Sequence, residues 1–165
     1  MIDLWNRLEL IFAIPEEVFP EIEIIGLSEA ATAQIAEYVV QNLRGVSTQF
    51  RTFSSEGQVP VLSAQQLVSG VSNGELIGAM GGELSISRFI LPEMLFIFEE
   101  PGYMIIGYVT GLHWTPIRLI ALFEFFRIVI QTNPQAKIEL SKHFFGENWI
   151  RVFNQTLKSY LHEKE

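Results

Sequence analysis

The chain has 165 residues, 48% of them hydrophobic and 18% charged, a composition typical of a globular protein and not of a disordered or low-complexity segment. It contains no cysteine, which excludes disulfides, thiolate nucleophiles and thiolate metal sites and fits a reducing compartment. Nineteen acidic against eleven basic residues give a formal charge of −8, which opposes binding to nucleic acid or to an anionic membrane.

The first elements are two predicted helices separated by an acidic segment. Apolar residues at helical spacing predict an amphipathic helix over 2–12, and because no basic region precedes them we expect no secretory signal. The proline-containing segment 14–26 is assigned no helix or strand. Ser28 then predicts an N-cap for a helix that runs to Leu43 and is closed by Gly45.

A strand and a short helix follow. The β-forming residues of 46–53 predict a strand, and the polar residues 54–58 predict a loop after it. Ser63 and Gln66 have the spacing of a capping box, which predicts a short helix over 64–70.

The middle of the chain predicts antiparallel strands. Asn73-Gly74 indicates a tight turn, after which 75–89 predicts two short strands separated by a glycine-rich turn. Two apolar, β-rich runs in 94–109 flank Pro101-Gly102, a pair typical of a hairpin turn.

The last third is dominated by an apolar helix over 116–131, which begins with Thr115 as N-cap and Pro116 as its first residue. At about 100° per residue, Glu124, Arg127 and Gln131 would form a thin polar edge on this helix. The segment 136–145 fits either a strand or a helix. Apolar spacing then predicts an amphipathic helix from Trp149 to Leu161.

This order of elements predicts an α+β fold. No repeat or linker divides the sequence, so we expect a single domain over 1–165. The predicted architecture is an antiparallel sheet of about four or five strands, with helices mainly on one face, including the central apolar helix.

His113 and Trp114 precede the apolar helix and could mark either a site or a turn. Histidine titrates near neutrality and can act as a general base, but only Thr110 and Thr115 are certain to be near it. We therefore predict that Trp114 packs in the core below the start of the helix and that His113 occupies a turn. If a pocket exists here, then His113, Arg118 and Tyr108 are its candidate ligand-binding residues.

The other polar patterns predict no catalytic residue, metal site or cofactor. His143 and His162, like His113, lack metal-ligand spacing, and the glycines of 78–82 lack a phosphate-binding motif. Glu99 and Glu100 precede the hairpin turn and are expected to be solvated. The acidic segment is either solvated or a contact surface for a basic partner, and its candidate partner-binding residues are Glu16, Glu17, Glu21 and Glu23.

The motifs "IIGYVTG", "KIEL" and "ENWIRVFNQTLKSY", with a helix between the first two, resemble the later half of the acetyl-CoA-dependent N-acetyltransferase superfamily. The resemblance implies CoA-dependent acyl transfer and a pyrophosphate-binding loop rich in Arg, Gln and Gly. This sequence departs from that pattern, because the corresponding loop contains "LHWTP".

Three classes of function are compatible with these observations. The first is a small, acidic, cytoplasmic and non-catalytic protein-interaction or regulatory module, which binds a protein partner or forms a homo-oligomer. In size and charge the chain is similar to immunity proteins and acidic secretion chaperones, which suit basic partners. The alternatives are a small-molecule-binding sensor domain and a divergent CoA-dependent N-acyltransferase.

Overall fold

The structure is a computed structural model that describes residues 3–52, 55–58 and 64–163, which form five helices and a seven-stranded sheet. The helices are α1 (Leu4–Phe12), α2 (Glu29–Asn42), α3 (Ala64–Ser72), α4 (Pro116–Thr132) and α5 (Glu147–His162). The strands are β1 (Glu21–Ile25), β2 (Leu43–Thr52), β3 (Ser55–Gln58), β4 (Leu76–Ile86), β5 (Phe89–Glu100), β6 (Tyr103–Tyr108) and β7 (Lys137–Leu140).

The strands lie in the order β3-β2-β4-β5-β6-β1-β7, and every described pair is antiparallel. The predicted α+β class is therefore confirmed. The predicted strand number was too low, because β1 and β3 come from segments that were assigned no strand. The insertion of β1 between β6 and β7 joins the early and late parts of the chain in one sheet.

The acidic segment contains strand β1 because alternate residues satisfy two different environments. Ile22 and Ile24 are fully buried, whereas Glu21 and Glu23 project to the other side of the sheet. Glutamate is a poor strand former in isolation, but the alternation lets each side chain lie where its polarity is stabilised. The residues 55–58, predicted as part of a loop, likewise form β3.

Two glycine predictions were wrong for a shared reason: the glycines lie inside strands. Gly81 and Gly82 are part of the uninterrupted strand β4, and the chain turns later, at Ser87, whose φ is 52°. Helix α2 ends at Asn42 and passes directly into β2, so Gly45 does not close it. At Gly82, close approach of the β2 backbone leaves no space for a side chain.

Local capping and turn signals predicted their elements correctly. The Ser28 hydroxyl accepts a hydrogen bond from Ala31 N at 3.1 Å, and the Thr115 hydroxyl accepts one from Arg118 N at 3.3 Å. Gly102 has a φ of 79° in the hairpin turn between β5 and β6. The segment 136–145, which fitted either a strand or a helix, contains strand β7. The predicted N-cap Ser63 and the start of the first helix at residue 2 lie outside the described residues.

The helices form one layer on one face of the sheet, as predicted. Phe96 of β5 packs against Phe125 of α4 with ring centroids 5.8 Å apart, and Phe98 lies beside Thr32 of α2 and Val68 of α3. Helix α1 contacts α4 and α5, and α2 contacts α3 and α4. The core therefore lies between this helical layer and the alternate residues of β4, β5, β6 and β1.

One buried polar network joins α4 to α5 and corrects the predicted polar edge. Glu124 is only 7% exposed, because α5 covers it. Its two carboxylate oxygens accept hydrogen bonds from the Tyr160 hydroxyl and the Arg127 guanidinium. The carboxylate is thus retained in the core by its donors.

Replacing Tyr160 with phenylalanine is expected to lower the free energy of unfolding by about 1–3 kcal/mol, because a buried carboxylate loses a hydroxyl donor. Urea denaturation measures the change. Tyr38→Phe is the control: this half-buried tyrosine on α2 has no hydroxyl bond to another described residue. Equal stabilities for the two variants would contradict the role assigned to Tyr160.

Candidate protein-binding surface

Trp114 belongs to the core, as predicted from its position before α4. It is 2% exposed, and its indole N–H donates to the Val109 carbonyl at 2.8 Å. Its ring centroid lies 4.7 Å from that of Phe12 and 5.7 Å from that of Tyr108. His113 is exposed beside it, in the turn that leads into the helix. The pair therefore forms a structural corner.

The three candidate ligand-binding residues are placed in different environments. Tyr108 is buried, which raises the pKa of its phenol well above the usual value, and its hydroxyl lies 3.4 Å from the Ile11 carbonyl. The Arg118 guanidinium donates to the His113 carbonyl at 2.5 Å and so braces the start of α4. His113 and Arg118 are brought together, whereas Tyr108 faces the core. Ligand binding by these residues stays a prediction from the sequence.

The side of the sheet opposite the helices carries a second set of alternate residues, which we call the open face. On β5 and β6 the helix-facing set includes Phe96, Phe98 and Tyr108, so the intervening residues project outward. The centre of the open face is apolar or without side chains and consists of Ala79, Gly81, Leu95, Ile97, Ile105 and Gly107. Its acidic residues are Glu21, Glu23, Glu83, Glu93, Glu99 and Glu139.

Strand register arranges these residues in rows across the sheet. In one row Ile97 lies opposite Ile105, which lies opposite Glu23. These flanking side chains cover Ile105, which is 8% exposed although it faces outward. In the next row Leu95 has glycines on both sides, Gly81 and Gly107, and remains 41% exposed.

The open face carries two described cations besides its carboxylates, because Arg44 lies directly opposite Glu83 and Lys137 lies directly opposite Ile25. Glu21, Glu23 and Glu93 form no ion pair with another residue that the structure describes. The pKa of Tyr103, on the same face, is raised by burial first and then by the charges of the neighbouring glutamates, Glu23 foremost. These glutamates therefore place a negative field around Tyr103 on the open face.

The structure brings two of the four predicted partner-binding residues onto the open face. Glu21 and Glu23 lie there in β1, whereas Glu16 and Glu17 are exposed in the loop before that strand. The apolar residues of the face were missed. Their signal was present in β5, where both alternate sets are apolar, a pattern typical of strands covered on both sides.

Neither a metal site nor a membrane span is found in the described part of the chain. No group of three or more described His, Asp or Glu residues is placed to hold a metal ion. No described helix has the length and hydrophobicity needed to cross a bilayer. Surface grooves lie between α2 and α3 and at the start of α5, away from His113, Arg118 and Tyr108.

The comparisons give a likeness of fold. No protein-family model matches the chain, and no curated protein matches it. One solved structure does: the crystal structure of the toxic C-terminal tip of CdiA from Pseudomonas aeruginosa in complex with immune protein contains a chain with a TM-score of 0.51. The sequences are 14% identical, and the match covers 80% of this chain and 92% of that one.

Proposed function

We propose that this chain is a non-catalytic protein-interaction module that binds a basic protein through the open face of its sheet. One observation carries the proposal: no described helix lies over the outward apolar set of β5 and β6, and the set is bordered by Glu21, Glu23 and Glu93, which form no ion pair with another described residue. An apolar centre with a polar border is the usual organisation of a protein interface.

The apolar part of the face explains why a partner would be retained. Leu95, Ile97 and Ile105 are adjacent across two strands, and the glycines beside Leu95 keep the surface flat. Covering apolar area stabilises a complex by about 25 cal/mol per Å² before the costs of association. Leu95 and Ile97, the more exposed of the three, would form the centre of the interface, with Ile105 packed beneath them.

The acidic residues of the open face favour a partner of positive charge. Glu23 lies directly opposite Glu139. Glu83 lies directly opposite Glu93 on one side, where the charges repel, and directly opposite Arg44 on the other, which partly offsets that repulsion. Like charges in these positions destabilise a sheet, and a basic partner would relieve the repulsion while being attracted from a distance. Two copies of this face would repel each other, so homo-oligomers, also predicted from the sequence, would use another surface.

The fold likeness agrees with this class of function. The solved structure that matches this chain is a complex of a toxic protein tip with an immune protein, so a related fold occurs within a protein–protein assembly. The sensor and acyltransferase alternatives gain no support from the geometry around His113, where Arg118 is used to brace the helix. The proposal includes the cytoplasmic location that was predicted from the sequence.

A charge inserted in the apolar centre tests the proposal. We expect Leu95→Arg to abolish retention of a basic protein that the wild-type chain captures from its own cells, because a cation would be placed at the centre of the interface. Affinity purification followed by mass spectrometry measures the retention. Leu112→Arg is the matched control, because Leu112 is 81% exposed in the loop before α4, off the open face.

Two results would contradict the proposal. One is a captured protein lost equally from both leucine variants, which would place the contact elsewhere or indicate a general effect of added charge. The other is the absence of any basic protein that distinguishes wild type from Leu95→Arg.

A further inference from the structure

Gly107 occupies an unusual position in the middle of the open face. It lies in strand β6, directly opposite Leu95 of β5 on one side and Glu21 of β1 on the other. Glycine in a strand interior weakens the strand, because it gains no packing and loses more conformational freedom on folding. Its presence there therefore calls for a local reason.

The fold itself does not require glycine at this position. A Cβ added to Gly107 would have Leu95 Cβ at 3.6 Å and Leu95 O at 3.9 Å as its nearest neighbours, which are ordinary contact distances. Gly107 is also not among the glycines with a positive φ. A Cβ would fit, and without one the backbone of Gly107 lies bare between Leu95 and Glu21, an arrangement that we call the Gly107 notch.

The two sides of the notch differ in chemistry. Leu95 supplies an apolar side, and Glu21 supplies a carboxylate that has no ion-pair partner among the described residues. Because neighbouring strands are about 4.8 Å apart, the backbones that carry these two residues are separated by about 10 Å. That width accommodates one extended side chain lying across the bare backbone of Gly107.

We propose that the Gly107 notch receives an arginine side chain of the basic partner, an inference that rests on the proposed function. The aliphatic stem lies over Gly107 against Leu95, and the guanidinium reaches the Glu21 carboxylate. Arginine suits both sides, because its stem is apolar while its planar head donates paired hydrogen bonds to a carboxylate. The notch would thus make recognition specific for a long cationic residue.

A short arginine peptide tests the notch without the natural partner. We expect acetyl-Ala-Arg-Ala-amide to shift the backbone amide NMR signals of Gly107, Leu95 and Glu21, and acetyl-Ala-Gln-Ala-amide to leave them unchanged. Glu29 and Glu37, exposed on α2, serve as internal controls for general attraction to acidic residues. Shifts of similar size at both locations would overturn the proposal.

Two variants test the two sides of the arrangement separately. Gly107→Val fills the notch and is expected to weaken arginine-peptide binding about tenfold. Valine is a good strand former and its Cβ meets only ordinary contacts, and urea denaturation of the same variant checks that the fold is retained. Glu21→Gln keeps the shape of the side chain, removes the charge and is expected to weaken binding by a similar factor. Unchanged peptide affinity in both variants would overturn the proposal that the Gly107 notch receives an arginine side chain.

The outcomes for the notch and for the proposed function are separable. A basic protein that Leu95→Arg loses but Gly107→Val retains at full affinity would leave the interaction module standing and reject the notch. Peptide binding that depends on Gly107 and Glu21, with no protein that Leu95→Arg loses, would support the notch chemistry and reject the proposed protein partner.

Discussion

Replacing Trp114 with alanine is expected to lower the free energy of unfolding by about 3–5 kcal/mol, a large part of the stability of a domain of this size. The indole packs between Phe12 of α1 and Tyr108 of β6, and its N–H donates to the Val109 carbonyl. The substitution would leave a cavity where the first helix, the sheet and the start of α4 meet, and it would also remove the donor to the partly buried Val109 carbonyl.

Urea denaturation followed by circular dichroism measures this loss, with Trp149→Ala as the matched control. Trp149 lies near the start of α5 and is 36% exposed, so truncating it removes much less buried area. We expect the control to retain most of the wild-type stability. A Trp114→Ala protein as stable as the control would show that the corner is not part of the core.

Replacing Gly82 with alanine is expected to cost about 1–3 kcal/mol or more, because β2 and β4 would be forced apart. An added Cβ would lie 2.4 Å from the Arg44 carbonyl oxygen and 3.1 Å from Leu43 Cγ. The first contact is with backbone, which cannot rotate away as a side chain can. Separation of the strands would weaken the ladder between them.

Gly107→Ala is the control for Gly82→Ala, because it makes the same chemical change in a neighbouring part of the sheet. Its Cβ meets nothing closer than 3.6 Å, so we expect unchanged or slightly increased stability. The difference between the two unfolding free energies is the measured quantity. Gly82 also has a φ of 157°, which Gly107 does not share, so its loss includes backbone strain as well as the contact with β2. Similar losses at both positions would show that neither feature of Gly82 causes the cost.

Sequence patterns predicted features that are decided within a few residues. The Ser28 and Thr115 caps and the Pro101-Gly102 turn each depend on hydrogen bonds or backbone angles that lie next to them in the chain. The apolar helix was also predicted correctly, because its length and composition leave few alternatives.

Features that depend on distant partners were not predictable in the same way. Strand β1 pairs with β6 and β7, which lie far away in sequence. The burial of Glu124 depends on α5, thirty-six residues later, whose Tyr160 covers it. Local periodicity contains no information on either contact.

Only part of the candidate site was predicted, because its apolar residues are also defined by contacts between distant parts of the chain. Glu21 and Glu23 were identified from their charge, which is readable along the chain. Leu95 and Ile97 were not identified, because both alternate sets of β5 are apolar and only the position of the helices decides which set is covered. The uncovered set becomes visible as a surface once the helical layer is known.

Two surfaces can be compared as candidates for the interface: the open face and the exposed residues near the start of α4. Leu112 and Ile117 are both well exposed near the start of α4, and they form one apolar alternative to the open face. Scattered exposed apolar residues are ordinary on protein surfaces. The open face differs from them because its apolar residues are adjacent across strands and are bordered by Glu21, Glu23 and Glu93, which have no ion-pair partner in the part of the chain that the structure describes.

Methyl cross-saturation NMR on the complex with the captured basic protein tests the central claim most directly. Irradiating the partner should attenuate the methyl signals of Leu95 and Ile97, the accessible apolar residues at the centre of the open face, and leave those of Leu112 and Ile117 unchanged. The opposite pattern, with the methyl signals of Leu112 and Ile117 attenuated and those of Leu95 and Ile97 unaffected, would contradict the account.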